Sequence, residues 1–149
     1  MAKTPKCTVI KLADGAELKY YKEFLSPKMS DDIYSSLIDN VPWEHGVYKM
    51  FGKDVKTPRV LYAMKNNGTN ITNVYNVTDS MVWSNEIKNL KQKIEQTTQK
   101  TFRYAQLNYY RDGNDYIGYH TDSEVQANDI IASISLGESR KFSLRHIDY

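Results

Sequence analysis

The sequence predicts a mainly β member of the α+β class, an antiparallel sheet stack that carries supporting helices on one face. Three observations lead there. Two segments within the first hundred residues repeat apolar side chains at helical spacing. From Phe102 onward the period changes to two, and no helical segment separates the strands. Twelve tyrosines among 149 residues favour half-buried strands and a stacking or hydrogen-bonding surface. No repeat, linker or low-complexity run divides the chain, so residues 1–149 read as a single domain. Its helices fall in about 1–100 and its longest strand-rich run in about 101–149.

The first elements are two short strands, CTVIKL and ELKYYKEFL, around the turn at Asp14-Gly15. A helix follows in SPKMSDDIYSSLIDN. Ser30 is its expected cap, Asp31 and Asp32 sit in its first turn, and Pro42 stops it. Ile33, Leu37 and Val41 form its apolar face. Residues 47–64 read as strands broken at Gly52-Lys53-Asp54 and again at Pro58. Residues 65–80 are polar and turn-rich, a surface loop with one strand-like piece around Tyr75. The clearest helix is SNEIKNLKQKIEQTTQK, capped by Ser84, with Ile87, Leu90 and Ile94 as its stripe and solvated lysines opposite. The strands FRYAQLNYY, YIGYHTD, IIASISLG and RKFSLRH complete the chain, and the β-branched IIASISLG is expected to be buried on both faces.

Charge and cysteine content narrow the function classes. A net charge of +2 is too mild to signal nucleic-acid binding by itself. Cys7 is the single cysteine, which excludes an internal disulfide and a cysteine-based zinc site and suits a reducing compartment. No apolar run reaches the roughly 18 residues of a membrane span, and MAKTPKCTVIKLADG lacks the apolar core of a secretory signal. An intracellular protein, nuclear or cytoplasmic, is the expectation, so the N-x-[ST] matches at Asn67, Asn70 and Asn76 read as chance.

The chemistry concentrates in YRDGNDYIGYHTDSE, residues 110–124. On an extended chain, residues i and i+2 point to one side, so His120 and Asp122 can face a single point. A histidine with a carboxylate makes two thirds of the facial triad of non-haem Fe(II) oxygenases. A plain surface pair is the competing reading of an isolated His-x-Asp. The same parity aligns Asn108 with Tyr110, an amide and a phenol suited to a carboxylate or keto oxygen, or else to a cross-strand hydrogen bond.

Together, LNYYRDGNDYIGYHTDSE, the IASISLG strand and RKF resemble the DNA-repair branch of the AlkB family of Fe(II)/2-oxoglutarate dioxygenases. MFGKDVKTPRVLY and VWSNEIKNLKQKIEQTTQKTF extend the resemblance over most of residues 43–146. It implies a double-stranded β-helix, or jelly roll, with a nucleotide-recognition region in the N-terminal two thirds. It implies Fe(II), 2-oxoglutarate and O2 as cofactor and cosubstrates. His120 and Asp122 would then be metal ligands and catalytic, and Asn108 and Tyr110 would contact 2-oxoglutarate. Phe51 would be a finger entering the stack of alkylated DNA, Arg59 of the Pro-Arg pair a substrate contact, and Tyr75 an aromatic stacking on the flipped base. Glu124 would touch that base, and Ser123 departs from the second acid of the nearest pattern. The implied reaction removes an N-methyl group from a nucleobase in DNA, or in RNA, as formaldehyde, with release of succinate and CO2.

The family pattern also includes a second iron histidine followed by arginines for the far carboxylate of 2-oxoglutarate. A jelly roll uses about eight strands, of which about four are visible from Phe102 to Tyr149. Neither His45 nor His146 suits the third ligand position. The favoured expectation is therefore a fragment of a longer protein. A split enzyme with a second polypeptide supplying the remaining strands is one alternative. Another is a catalytically inactive module that binds damaged or single-stranded nucleic acid. Two ligands hold iron poorly, so weak Fe(II) binding by this chain alone is expected.

Overall fold

A computed structural model describes residues 5–66, 83–122, 129–146 and 148. Its elements are β1 (Cys7–Lys11), β2 (Glu17–Tyr21), α1 (Pro27–Asn40), β3 (Glu44–Met50), β4 (Lys53–Lys65), α2 (Asn85–Thr98) and β5 (Tyr104–Tyr109). They fall into two compact units, one formed by Met1–Asn40 with Ser133–Tyr149 and the other by Val41–Ala132.

In the first unit β1 and β2 pair antiparallel, from Cys7 opposite Tyr21 to Lys11 opposite Glu17. Asp14 (φ 54°) and Gly15 (φ 75°) turn the chain in the left-handed region, which an aspartate tolerates better than most residues. The helix α1 begins a turn earlier than the sequence suggests. Pro27 opens it, the Met29 N–H donates to Ser26 Oγ (3.3 Å), and Ser30 lies inside rather than at the cap. Proline at the first helical position has φ already set and gives up an N–H that would lack an intrahelical partner. Asp32 thereby becomes the i+4 partner of Lys28 (2.7 Å). Ile33 is buried and Leu37 half-buried, as the stripe requires.

The second unit is built on the three-stranded antiparallel sheet β3-β4-β5. The turn between β3 and β4 is Phe51-Gly52, both at positive φ (50° and 76°), a backbone that matches the twist of the flanking strands. Lys53 and Asp54, expected in a break, already belong to β4. Nor does Pro58 interrupt that strand. His45 pairs with Val60 and Val47 with Lys56, so Gly46 alone faces residues 57–59. A proline is tolerated at such a bulge because its missing N–H has no ladder position to fill. Side chains satisfy the irregular backbone: the Gly46 N–H donates to Thr57 Oγ1 (3.0 Å), and Thr57 Oγ1 donates to Arg59 O (2.7 Å). Beyond the bulge, Val60 to Met64 are consecutively buried, so β4 is covered on both faces and carries the core.

The helix α2 keeps its expected bounds. Ser84 Oγ accepts from the Ile87 N–H, and Gln99 closes the helix in the left-handed region. Ile87 and Leu90 are buried and Ile94 is half-buried. Lys91 departs from the solvated face: it lies 5.6 Å from the centre of the Trp83 ring and 2.8 Å from Glu95. The Lys91 hydrogen bond, then the Phe102 N–H, hold the Glu95 carboxyl below its ordinary range.

The expected strands in residues 116–122, 130–137 and 140–146 are not strands among the described residues. Among the described residues both sheets are open and no jelly roll is closed. Ile130 and Ile131, expected to be buried on both faces, are exposed, as are Phe142 and Leu144. Alternation shapes a strand only where a neighbour supplies ladder hydrogen bonds, and no described segment pairs with these residues. The strand-like piece around Tyr75 lies outside the described residues.

Candidate active site

The strand β5 leads into the chemistry-bearing segment. Leu61 pairs with Asn108 and Ala63 with Gln106, so Gln106 and Asn108 share a face of the sheet. Tyr110, half-buried, stands just past the last strand residue. Arg59, 2% exposed, donates from Nε to Asn108 Oδ1 at 2.6 Å, and Gln106 Nε2 donates to the same oxygen at 3.2 Å. The arginine expected to contact substrate is thus seated beneath the amide expected to contact the cosubstrate.

Next, the chain is tied down by Arg111 and Asp115. The carboxylate accepts from the Arg111 N–H (3.0 Å), Nε (2.8 Å) and Nη2 (3.0 Å), and Nη2 also reaches Pro58 O on β4 (2.8 Å). Asp115 is 4% exposed. The Arg111 side chain, then its backbone N–H, hold this carboxyl at about 2, below its ordinary 3.8. Within the loop, Asp112 Oδ1 accepts from the Asn114 N–H (2.7 Å), the local bond that suits aspartate to turns. Sequence reasoning passed over this clamp, although opposite charges at positions 111 and 115 around an Asp-Gly turn are its signal.

The clamp is followed by Tyr116, Gly118, His120 and Asp122. His120 Nδ1 is 2.8 Å from Gly118 O. A carbonyl only accepts, so Nδ1 carries a proton and donates it to Gly118, which turns Nε2 toward Asp122. That nitrogen is 3.2 Å from Asp122 Oδ1, and both side chains are 45% exposed. Two donors at right angles, each about 2.1 Å from an ion, stand about 3.0 Å apart. The pair therefore fits adjacent corners of a metal site. No group of three histidine, cysteine, aspartate or glutamate side chains fit for a metal ion occurs among the described residues.

The other expected site residues sit as follows. Phe51 is 97% exposed at the tip of the β3-β4 hairpin. Tyr75, Ser123 and Glu124 lie outside the described residues. His45 donates from Nδ1 to Thr57 O (2.7 Å), and His146, in the first unit, pairs through Nε2 with Asp14 (2.7 Å).

Comparison with known proteins adds a family and relatives. The model of the 2OG-Fe(II) oxygenase superfamily matches residues 17–148. The DNA oxidative demethylase ALKBH2 of Homo sapiens is 28% identical over 141 residues, covering 91% of this chain and 54% of that protein. Its Bos taurus counterpart is 29% identical over 124 residues, covering 80% and 45%. The alpha-ketoglutarate-dependent dioxygenase alkB homolog 3 of Mus musculus is 30% identical over 128 residues, covering 84% and 44%. The chain spans about half the length of the curated relatives it matches.

Proposed function

The chain belongs to the 2OG-Fe(II) oxygenase superfamily, as a member of its AlkB family, and on that premise we propose that it takes part in oxidative demethylation of N-alkylated nucleobases. The family's cofactor and cosubstrates are Fe(II), 2-oxoglutarate and O2. The observation that carries the reading is the convergence of His120 Nε2 and Asp122 Oδ1 at 3.2 Å, with the ring oriented by Gly118.

His120 and Asp122 would hold the iron, with a third donor from outside the described residues. Asn108 and Tyr110 receive 2-oxoglutarate. Together the bound iron and 2-oxoglutarate supply the activation of O2, and the protein supplies binding, orientation and electrostatics. Arg111 and Asp115 fix the loop that brings His120 and Asp122 past the end of the sheet.

Alkylated DNA is the favoured substrate and RNA the second, because of Phe51. A non-glycine residue in the left-handed region costs about 1–2 kcal/mol. Here that conformation holds a phenyl ring almost fully in water. An apolar wedge at a hairpin tip can fill the gap left by a flipped base, and an N-methyl lesion eases flipping because pairing is already weakened. Tyr75 and Glu124 complete the contacts to that base. Lys49, which pairs with Asp54 at 3.5 Å, and Lys53 and Lys56 lie on the same hairpin, where they would meet phosphates.

The test is mass spectrometry of an oligonucleotide carrying 1-methyladenine, incubated with the full-length protein, Fe(II), 2-oxoglutarate and ascorbate. Loss of the methyl group that depends on 2-oxoglutarate supports the reading. Unchanged substrate from a folded, iron-loaded sample contradicts it. A second reading is a nucleic-acid-binding module without turnover. It requires binding that weakens steeply with salt while His120 is dispensable.

A further inference from the structure

We propose that Arg59 is a positioning residue: its buried guanidinium locks the Asn108 amide so that Nδ2 faces outward as the hydrogen-bond donor to 2-oxoglutarate. The inference rests on the reading of Asn108 given above and concerns what makes that amide competent.

An asparagine amide has an accepting end and a donating end, and by rotating half a turn it can present either. To hold a carboxylate or keto oxygen it must present the NH2. A guanidinium has donors and no acceptor, so it can face only the oxygen. Arg59 Nε does so at 2.6 Å, with Gln106 Nε2 behind it at 3.2 Å. Asn108 is exposed, and its Nδ2 makes no hydrogen bond among the described residues. Arg59 itself is held rigidly. It follows the bulge at Pro58, its carbonyl accepts from Thr57 Oγ1 at 2.7 Å, and it is 2% exposed. The turned-over amide would place its NH2 against the guanidinium and its oxygen outward, where it would repel an anionic cosubstrate. Binding of 2-oxoglutarate thus depends on a residue that does not touch it.

Two isosteric substitutions separate this role from packing. Arg59→Gln removes the charge but keeps an N–H at the depth of Nε along the side chain. Arg59→Met has the same reach and no donor. Their affinities for 2-oxoglutarate are measured by anaerobic calorimetry on the full-length protein with Fe(II), alongside the side-chain amide 15N signal of Asn108. Arg59→Met is expected to weaken 2-oxoglutarate about tenfold, the effect of losing one charge-assisted hydrogen bond, and to shift the Asn108 signal. Arg59→Gln is expected to retain most of both. In an Asn108→Ala background the difference between the two should disappear, since the residues act as a unit. Should both variants fail to fold, Asn108→Asp serves, because it keeps the Arg59 partner and removes the NH2. It is expected to fold and to lose 2-oxoglutarate affinity, and unchanged affinity would overturn the proposal. Equal affinities for Arg59→Gln and Arg59→Met, with Asn108→Ala impaired, would overturn the positioning role and leave the cosubstrate assignment standing. An unimpaired Asn108→Ala would overturn both.

Discussion

Arg111 and Asp115 grip each other through both guanidinium and backbone, with N–H to carboxylate distances of 2.8–3.0 Å from Nε, Nη2 and the main chain. The loop between them is short, so the grip sets the direction in which the chain leaves β5 and proceeds to His120. A charged pair of this kind, largely buried at the aspartate, is retained only when its hydrogen bonds are complete.

A pH dependence follows. Asp115 titrates at about 2 in the folded chain against an ordinary 3.8. A carboxyl whose folded value is depressed adds stability that is fully present above the unfolded value and lost as pH falls through the folded one. Urea midpoints should therefore fall between about pH 4 and pH 2, and Asp115→Asn should flatten that part of the curve. A profile unchanged by the substitution would show that other carboxyls dominate.

Leu61 is fully buried in the central strand β4. Leu61→Ala should destabilise the chain by about 2–5 kcal/mol, from lost transfer energy and the cavity left behind. Denaturant unfolding checks this; a loss below about 1 kcal/mol would mean that β4 is not the core.

Phe51 predicts an opposition between stability and activity. Its ring is exposed, so Phe51→Asn removes little packing while suiting the first position of a turn with two positive φ values. Stability should rise by about 0.5–1 kcal/mol. Binding of methylated duplex should fall by about fivefold or more, since an aromatic stacked on a base is worth about 1–3 kcal/mol. Thermal melting and titration with a labelled duplex read the two effects; undiminished binding would remove the finger from the account.

Legibility in the sequence followed how local each cause was. Ser84 and the stripe of Ile87, Leu90 and Ile94 fixed α2, because cap and periodicity lie within a few residues of one another. Ser30 misled because Ser26-Pro27 offers an earlier start. Pro58 read as a break because the bulge opposite Gly46 depends on pairing that no local pattern reveals. The alternation in residues 116–146 suggested strands, yet a strand needs a neighbour, and none is paired there among the described residues. At the site, i and i+2 parity paired His120 with Asp122, which stand 3.2 Å apart, and Asn108 with Tyr110; that Gln106 shares the face of Asn108 and bonds its amide went unread. The bond between Arg59 and Asn108 spans 49 positions and could be seen only in three dimensions.

The central claim is that His120 and Asp122 hold the iron of a 2-oxoglutarate-dependent demethylase. Its most direct test is methyl loss from a 1-methyladenine oligonucleotide, compared between the iron-loaded full-length protein and its His120→Ala and Asp122→Ala variants, with bound iron measured in each. The account predicts turnover that depends on 2-oxoglutarate in the parent, and loss of both iron and turnover in the two variants. A folded His120→Ala protein that keeps its iron and still demethylates would contradict it.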